Sequence, residues 1–501
     1  MHDRLAHVAT TCGVVEGFTH NGVSRWRSIP YAEPPVGSLR FRAPQPARPW
    51  RGIRQCHSFA NCAPQQRMYT AIGLGKYQPR SEDCLTLNVV APEQPSDGPL
   101  PVMVFIHGGA YILGSSATPI YDGASIARRG AVFVSVNYRL GALGCMDMSS
   151  LSTDEHPIES NLFLRDLVLA LEWIRDNIAG FGGDPDSVTI FGESAGAHAV
   201  VTLLAVPAAR DLFRQAIAES PPAALTRSPE VAARFADRFA GLIGARRSDA
   251  AHALMSAPPA ALVHALDTLI ALNTADMSGT FPVGPSYGDD VLPVLPFEAM
   301  RAGHAHPGPL IVGTNANEGR LFTRFLKVLP TTEHKIEELL GGAGSAIRDK
   351  IIEAYPDYPA PKACVRIGGD FTFASAAWEI AAARSAAAPT YLYRYDYAPR
   401  PLHWSGLGAT HATELFAVFD VYRTRAGAAL TLAGDRKAAR RVSEDIQARW
   451  QDFARAGVPG AGWPAYSVAD RPVMVFDRQS RVELDPHARR RTAWDGFTVT
   501  P

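Results

Sequence analysis

The chain has 501 residues, 47% of them hydrophobic, which is enough apolar surface for a large packed core. Lys plus Arg and Asp plus Glu both total 49, so the formal net charge is zero and nothing favours a nucleic acid or an anionic membrane held by bulk electrostatics. The six cysteines, Cys12, Cys56, Cys62, Cys84, Cys145 and Cys364, form no C-x-x-C pair, which argues against a zinc ribbon or a thioredoxin-like site.

The first twenty residues lack a basic head followed by an apolar run. The longest apolar stretches, such as AVVTLLAVPAA, are broken by Thr202 and Pro207. The expectation is a soluble, cytoplasmic chain without export signal or membrane span. Residues 100–107, LPVMVFIH, read as a buried strand before the loop GGAYILGSS, and residues 131–138 as a second strand. Between this and the next strand lies a helix over 161–178, with Leu164, Leu167, Leu171, Ile174 and Ile178 on one face. Strand, helix, strand at this spacing predicts an α/β fold: a large, mostly parallel central sheet flanked by helices.

The third strand ends in SVTIFGESAGAHAVV, residues 187–201. Ser194 stands where β-branched and aromatic residues hand over to a helical pattern. It is either a cap for that helix or a nucleophile on a strained elbow, with Gly192 and Gly196 admitting close backbone. Beyond it, Ser228 and Pro229 begin a helix that places Val231, Phe235, Phe239 and Leu242 on one stripe. Shorter helices follow near 249–255 and 260–272. This helical insertion either covers the active-site gorge or serves as a packing layer. Strands return at GPLIVGTN and PTYLYRYDY, and a helix at 439–457. No repeat or long linker appears, so a single domain over 1–501 is expected.

A serine hydroxyl needs a base, and the base needs an acid to fix its tautomer. Glu318 follows the strand PLIVGTN and His411 lies in GATHATELF, giving the chain order Ser, acid, His. Asp289 and Asp290 are the next acids to try. Acyl transfer also needs donors for an oxyanion; the N–H groups of Gly109, Ala110 and Ala195 are candidates, the alternative being a plain glycine turn. His304 to His306 reads as a solvated loop, His107 as a structural neighbour of the loop, and His198 as a helix residue.

These segments, with SIPYAEPPVGSLRFRAPQP, SEDCLTLNVVAP, VNYRLGALG and NIAGFGGDPDSVTIFGESAGA, resemble the type-B carboxylesterase family over nearly the whole chain. The resemblance implies an α/β-hydrolase fold and a serine carboxylesterase acting on small-molecule esters through an acyl-enzyme. It implies Ser194, Glu318 and His411 as triad and Gly109, Ala110 and Ala195 as oxyanion hole, with no cofactor and no metal. It also implies ion pairs Arg40–Glu82 and Arg139–Asp166, and a monomer or small homo-oligomer. An amidase or carbamate hydrolase on the same triad is the alternative activity, and a non-catalytic binding module the alternative class.

Three departures from the family pattern stand out, and one match bears on the cysteines. Ala110 replaces a third glycine, which a backbone donor tolerates if φ stays negative. Phe163 and Leu167 replace Gly and Gln before the long helix. Pro221-Pro222 replaces a Ser-Gly turn that supports the triad acid. Cys62 and Cys84 match a disulfide of secreted relatives, but a reducing cytoplasm favours free thiols. No Trp lies between them, so a choline site is not expected.

Overall fold

The computed structural model describes residues 4–497, apart from 95, 224, 277–280 and 326. The two ends of the expected domain, 1–3 and 498–501, lie outside the described residues. The chain opens with β1 (Arg4–Thr10), β2 (Gly13–His20), β3 (Val23–Pro30), the short β4 (Ile53–Gln55) and β5 (Thr86–Pro92). The central strands follow: β6 (Leu100–Ile106), β7 (Val132–Val136), β8 (Gly183–Glu193), β9 (Gln215–Glu219), β10 (Leu310–Asn315), β11 (Thr390–Tyr395), β12 (Pro472–Phe476) and β13 (Arg481–Leu484). One sheet joins them in the order β1-β2-β3-β5-β7-β6-β8-β9-β10-β11-β12-β13, with β4 beside β2. From β7 through β12 every neighbouring pair is parallel. The outer strands pair antiparallel, except β4, which runs parallel to β2.

The near-continuous apolar runs of β6 to β8 follow from burial on both faces. Along β6, Val102, Val104 and Ile106 join one core, while Met103 and Phe105 join the core on the opposite face. Helix α1 (Leu162–Asn177) buries the expected Leu164, Leu167, Leu171 and Ile174 against the first core. On the way back the chain forms α2 (Ala195–Leu203), α3 (Pro229–Leu242), α4 (Ala250–Ser256), α5 (Pro259–Asp276) and, on the second face, α6 (Arg436–Ala456).

Ser228 caps α3 as its sequence implies, accepting from the Val231 N–H. Phe235 and Phe239 are buried, but Leu242 at the end of the stripe is exposed, because the buried face of α3 ends at Ala240. No described helix is long and apolar enough to cross a membrane. All six cysteines are free thiols; Cys62 Sγ donates to the Pro79 carbonyl instead of bridging to Cys84.

Candidate active site

Strand order reverses at β7-β6-β8, and in an open α/β sheet that reversal leaves a crevice beyond the carboxyl ends of the strands. The 108–114 loop leaves the end of β6, and Ser194 leaves the end of the adjacent β8. Ser194 has φ 57 and ψ −124, a conformation that costs a non-glycine residue about 1–3 kcal/mol. Its N–H donates to the Glu219 carbonyl of β9 at 2.9 Å. Its hydroxyl makes no capping bond to α2, so the helix-cap reading does not describe this serine. The flanking glycines have a steric cause. A Cβ on Gly196 would lie 2.0 Å from the Ile106 carbonyl oxygen, and one on Gly192 would lie 2.6 Å from the same atom.

In the loop after β6 the N–H groups of Ile112 and Leu113 both donate to the Gly109 carbonyl at 3.0 Å. That tight turn puts Ala110 at φ 52 and Tyr111 at φ 61, so the negative φ expected at Ala110 is not what forms. Left-handed backbone at Ala110 costs about 1–2 kcal/mol, and packing of the next side chain offsets it. Tyr111 is fully buried, its ring 4.8 Å from Phe163 and its hydroxyl 2.9 Å from His198 Nδ1. Phe163 therefore serves as a floor for this loop. Among the described residues nothing accepts from the N–H groups of Gly109, Ala110 or Ala195.

Glu318 follows β10 and His411 lies 93 residues further on. The His411 Nδ1–H donates to Glu318 Oε2 at 2.6 Å, with both side chains at most 5% exposed. Donation from Nδ1 leaves Nε2 as the basic nitrogen. The ring is held by Phe373, 4.4 Å away on a π-bulge over Asp370–Ala374, and by Phe322 at 5.1 Å. His411 Nε2 also lies 3.1 Å from Glu193 Oε1, but that oxygen makes no hydrogen bond, so the contact is one of proximity.

Glu318 Oε1 accepts from the Asn315 N–H at 2.6 Å and from the Ser220 hydroxyl at 2.6 Å. The support comes from Ser220, which precedes the two prolines, so Pro221-Pro222 does not remove it. Sequence reasoning missed Ser220. Three further carboxyl groups are buried beside this pair. Burial, then Glu318 and Glu219, raises Glu193 well above the usual carboxyl range, and burial, then Glu193 and Glu318, does the same to Glu414. Burial pushes Glu219 up to about 8 against an opposing bond from Trp450 Nε1. Like charges at such spacing cannot all ionise, so near neutrality these three are acids, each able to keep its proton beside Glu318.

The other candidates fall elsewhere. Asp289 accepts from Ser160 and Asn161, and Asp290 pairs with Arg165 at 2.7 Å; neither meets His411. His306 is buried against Phe213, and His304 is exposed. Buried His107 stacks on Tyr138 at 4.6 Å, and burial lowers it to about 4. Arg40 binds Glu82 through two nitrogens and also reaches the carbonyls ending α4. Arg139 holds Asp166 with both buried.

A model described as the carboxylesterase family matches residues 4–494. Para-nitrobenzyl esterase of Bacillus subtilis is 36% identical, covering 97% of this chain and 97% of that protein. Fumonisin B1 esterase of Sphingopyxis macrogoltabida is 34% identical, covering 94% of this chain and 86% of that protein. A solved PNB esterase structure superposes with a TM-score of 0.86 at 36% identity, over 97% of this chain and 99% of that one.

Proposed function

The chain belongs to the carboxylesterase family and is a carboxylic ester hydrolase, and from that premise we propose that it cleaves small-molecule esters through an acyl-enzyme formed on Ser194. The observation that carries the reading is the 2.6 Å bond between His411 Nδ1 and Glu318, on segments meeting beside the Ser194 turn. Ser194 Oγ attacks the ester carbonyl while His411 Nε2 takes its proton. The resulting oxyanion is met by the N–H groups of Gly109, Ala110 and Ala195. Collapse expels the alcohol, which leaves with the proton from His411. Water then attacks the acyl-enzyme with His411 as base, releasing the carboxylic acid and restoring the serine. Left-handed Ala110 keeps its donor because the turn engages the N–H groups of Ile112 and Leu113 and leaves its own free.

The same reading makes the chain one catalytic domain working in the cytoplasm, supported by six free thiols suited to a reducing compartment. Ser194→Ala should melt like wild type yet lose on the order of a millionfold in kcat on 4-nitrophenyl acetate. More than a few per cent of wild-type turnover in pure variant would refute the nucleophile assignment.

A further inference from the structure

Four of the described arginines are buried, and three have evident partners. Arg25 lies 3.6 Å from Asp122, Arg139 holds Asp166, and Arg384 donates to the carbonyls of His306 and Gly308. Arg227 differs. It is 4% exposed and no carboxylate lies within ion-pair distance among the described residues. Nη1 donates only to the Leu225 carbonyl, two residues back, and Nη2 has no partner at all. Its position is built rather than incidental. The backbone is fixed by bonds to Pro285 and Tyr287, and the guanidinium occupies space that a Cβ on Gly284 would enter, 2.7 Å from Nη1. The guanidinium carbon lies 5.9 Å from the centre of the Phe235 ring, a contact that supplies no counter-charge. A buried cation without a counter-charge is costly, and the fork geometry of a guanidinium suits a bidentate carboxylate.

Arg227 stands one short relay from the nucleophile turn. Thr226, the residue before it, contacts His198 Nε2 at 3.3 Å. His198 lies one turn along α2 from Ser194, and its Nδ1 meets Tyr111, the residue after Ala110. Burial and Arg227 lower His198 to about 3, so its imidazole is neutral and leaves the nearby positive charge to Arg227. His411 is walled by Phe322 and Phe373 and shares none of these contacts. In the mechanism proposed above His411 hands its proton to the departing alcohol, which assigns the alcohol to its side and leaves to the acyl chain the opposite side, where Tyr111, His198 and Thr226 meet.

We propose that Arg227 receives a carboxylate carried on the acyl part of the ester, so that the site takes monoesters of dicarboxylic acids; the proposal rests on the reading of Ser194 as nucleophile. The test compares kcat/KM for 4-nitrophenyl hemiglutarate and 4-nitrophenyl pentanoate, which match in length and differ in the terminal carboxylate. The ratio of the first to the second should fall at least tenfold in Arg227→Met, with Arg227→Lys between that variant and wild type. A ratio unchanged within twofold in Arg227→Met overturns the proposal. If Arg227→Met does not melt cooperatively, competition on wild type decides: glutarate should inhibit pentanoate hydrolysis and glutaramide should not, and equal inhibition overturns it. Wild type that hydrolyses pentanoate but not hemiglutarate sinks the carboxylate proposal alone. Wild type that hydrolyses neither sinks the nucleophile reading beneath it.

Discussion

Ser220 sits at φ 55 with no exposed surface, and its hydroxyl donates to Glu318 Oε1 while accepting from Asn315 Nδ2 at 3.3 Å. A hydrogen bond to a charged group contributes about 1.5–3 kcal/mol. Ser220→Ala should therefore lower kcat by about tenfold or more with little change in KM, read from steady-state kinetics on 4-nitrophenyl acetate; unchanged kcat would show that Asn315 alone fixes Glu318. Glu318 and His411 could be nominated from sequence because each follows a strand signal in the right chain order. Ser220 and Arg227 could not. Ser220 acts across 98 residues, and Arg227 precedes a helix cap in an unremarkable loop, so their environments exist only after folding. The left-handed Ala110 was hidden for a related reason: the turn is set by two bonds to Gly109 and by the pocket that receives Tyr111.

At the scale of elements, the register of β8 on β9 sets Glu193 opposite Glu219, which brings two carboxyl groups into the core beside the site. Folded Glu219 keeps its proton to about 8, whereas in the unfolded chain a glutamate releases it near about 4.3. Between those values the folded state binds more protons than the unfolded one, so this contribution is favourable at low pH and stability declines as pH rises toward 8. Glu219→Gln removes the titration and keeps an acceptor for Trp450. Its Tm should fall less than that of wild type between pH 5 and 8, and parallel Tm curves would contradict the assignment. Periodicity located α1 and α3 because their apolar stripes face a core, and Ser228 marked the start of α3 correctly. It did not reveal that Leu242 lies beyond that core, since a stripe in sequence carries no information about where its partner ends.

For the molecule as a whole, parallel strands with buried faces and intervening helices announced the architecture, and the superposition on a PNB esterase at a TM-score of 0.86 agrees with it. Strand order was not legible, because runs such as VMVFI fit any interior position of a sheet. That order matters most: it places the β6 loop and the Ser194 turn side by side, with the 411 loop brought against the Ser194 turn from over two hundred residues away. The proposed acyl-enzyme puts the acyl group on Ser194, at this convergence. Wild-type protein treated with diethyl 4-nitrophenyl phosphate, digested and sequenced by tandem mass spectrometry tests it directly. One diethylphosphoryl adduct per chain should form, on the peptide containing Ser194, accumulating in step with loss of activity. Full inactivation with the adduct on another residue, or with none on Ser194, would contradict it.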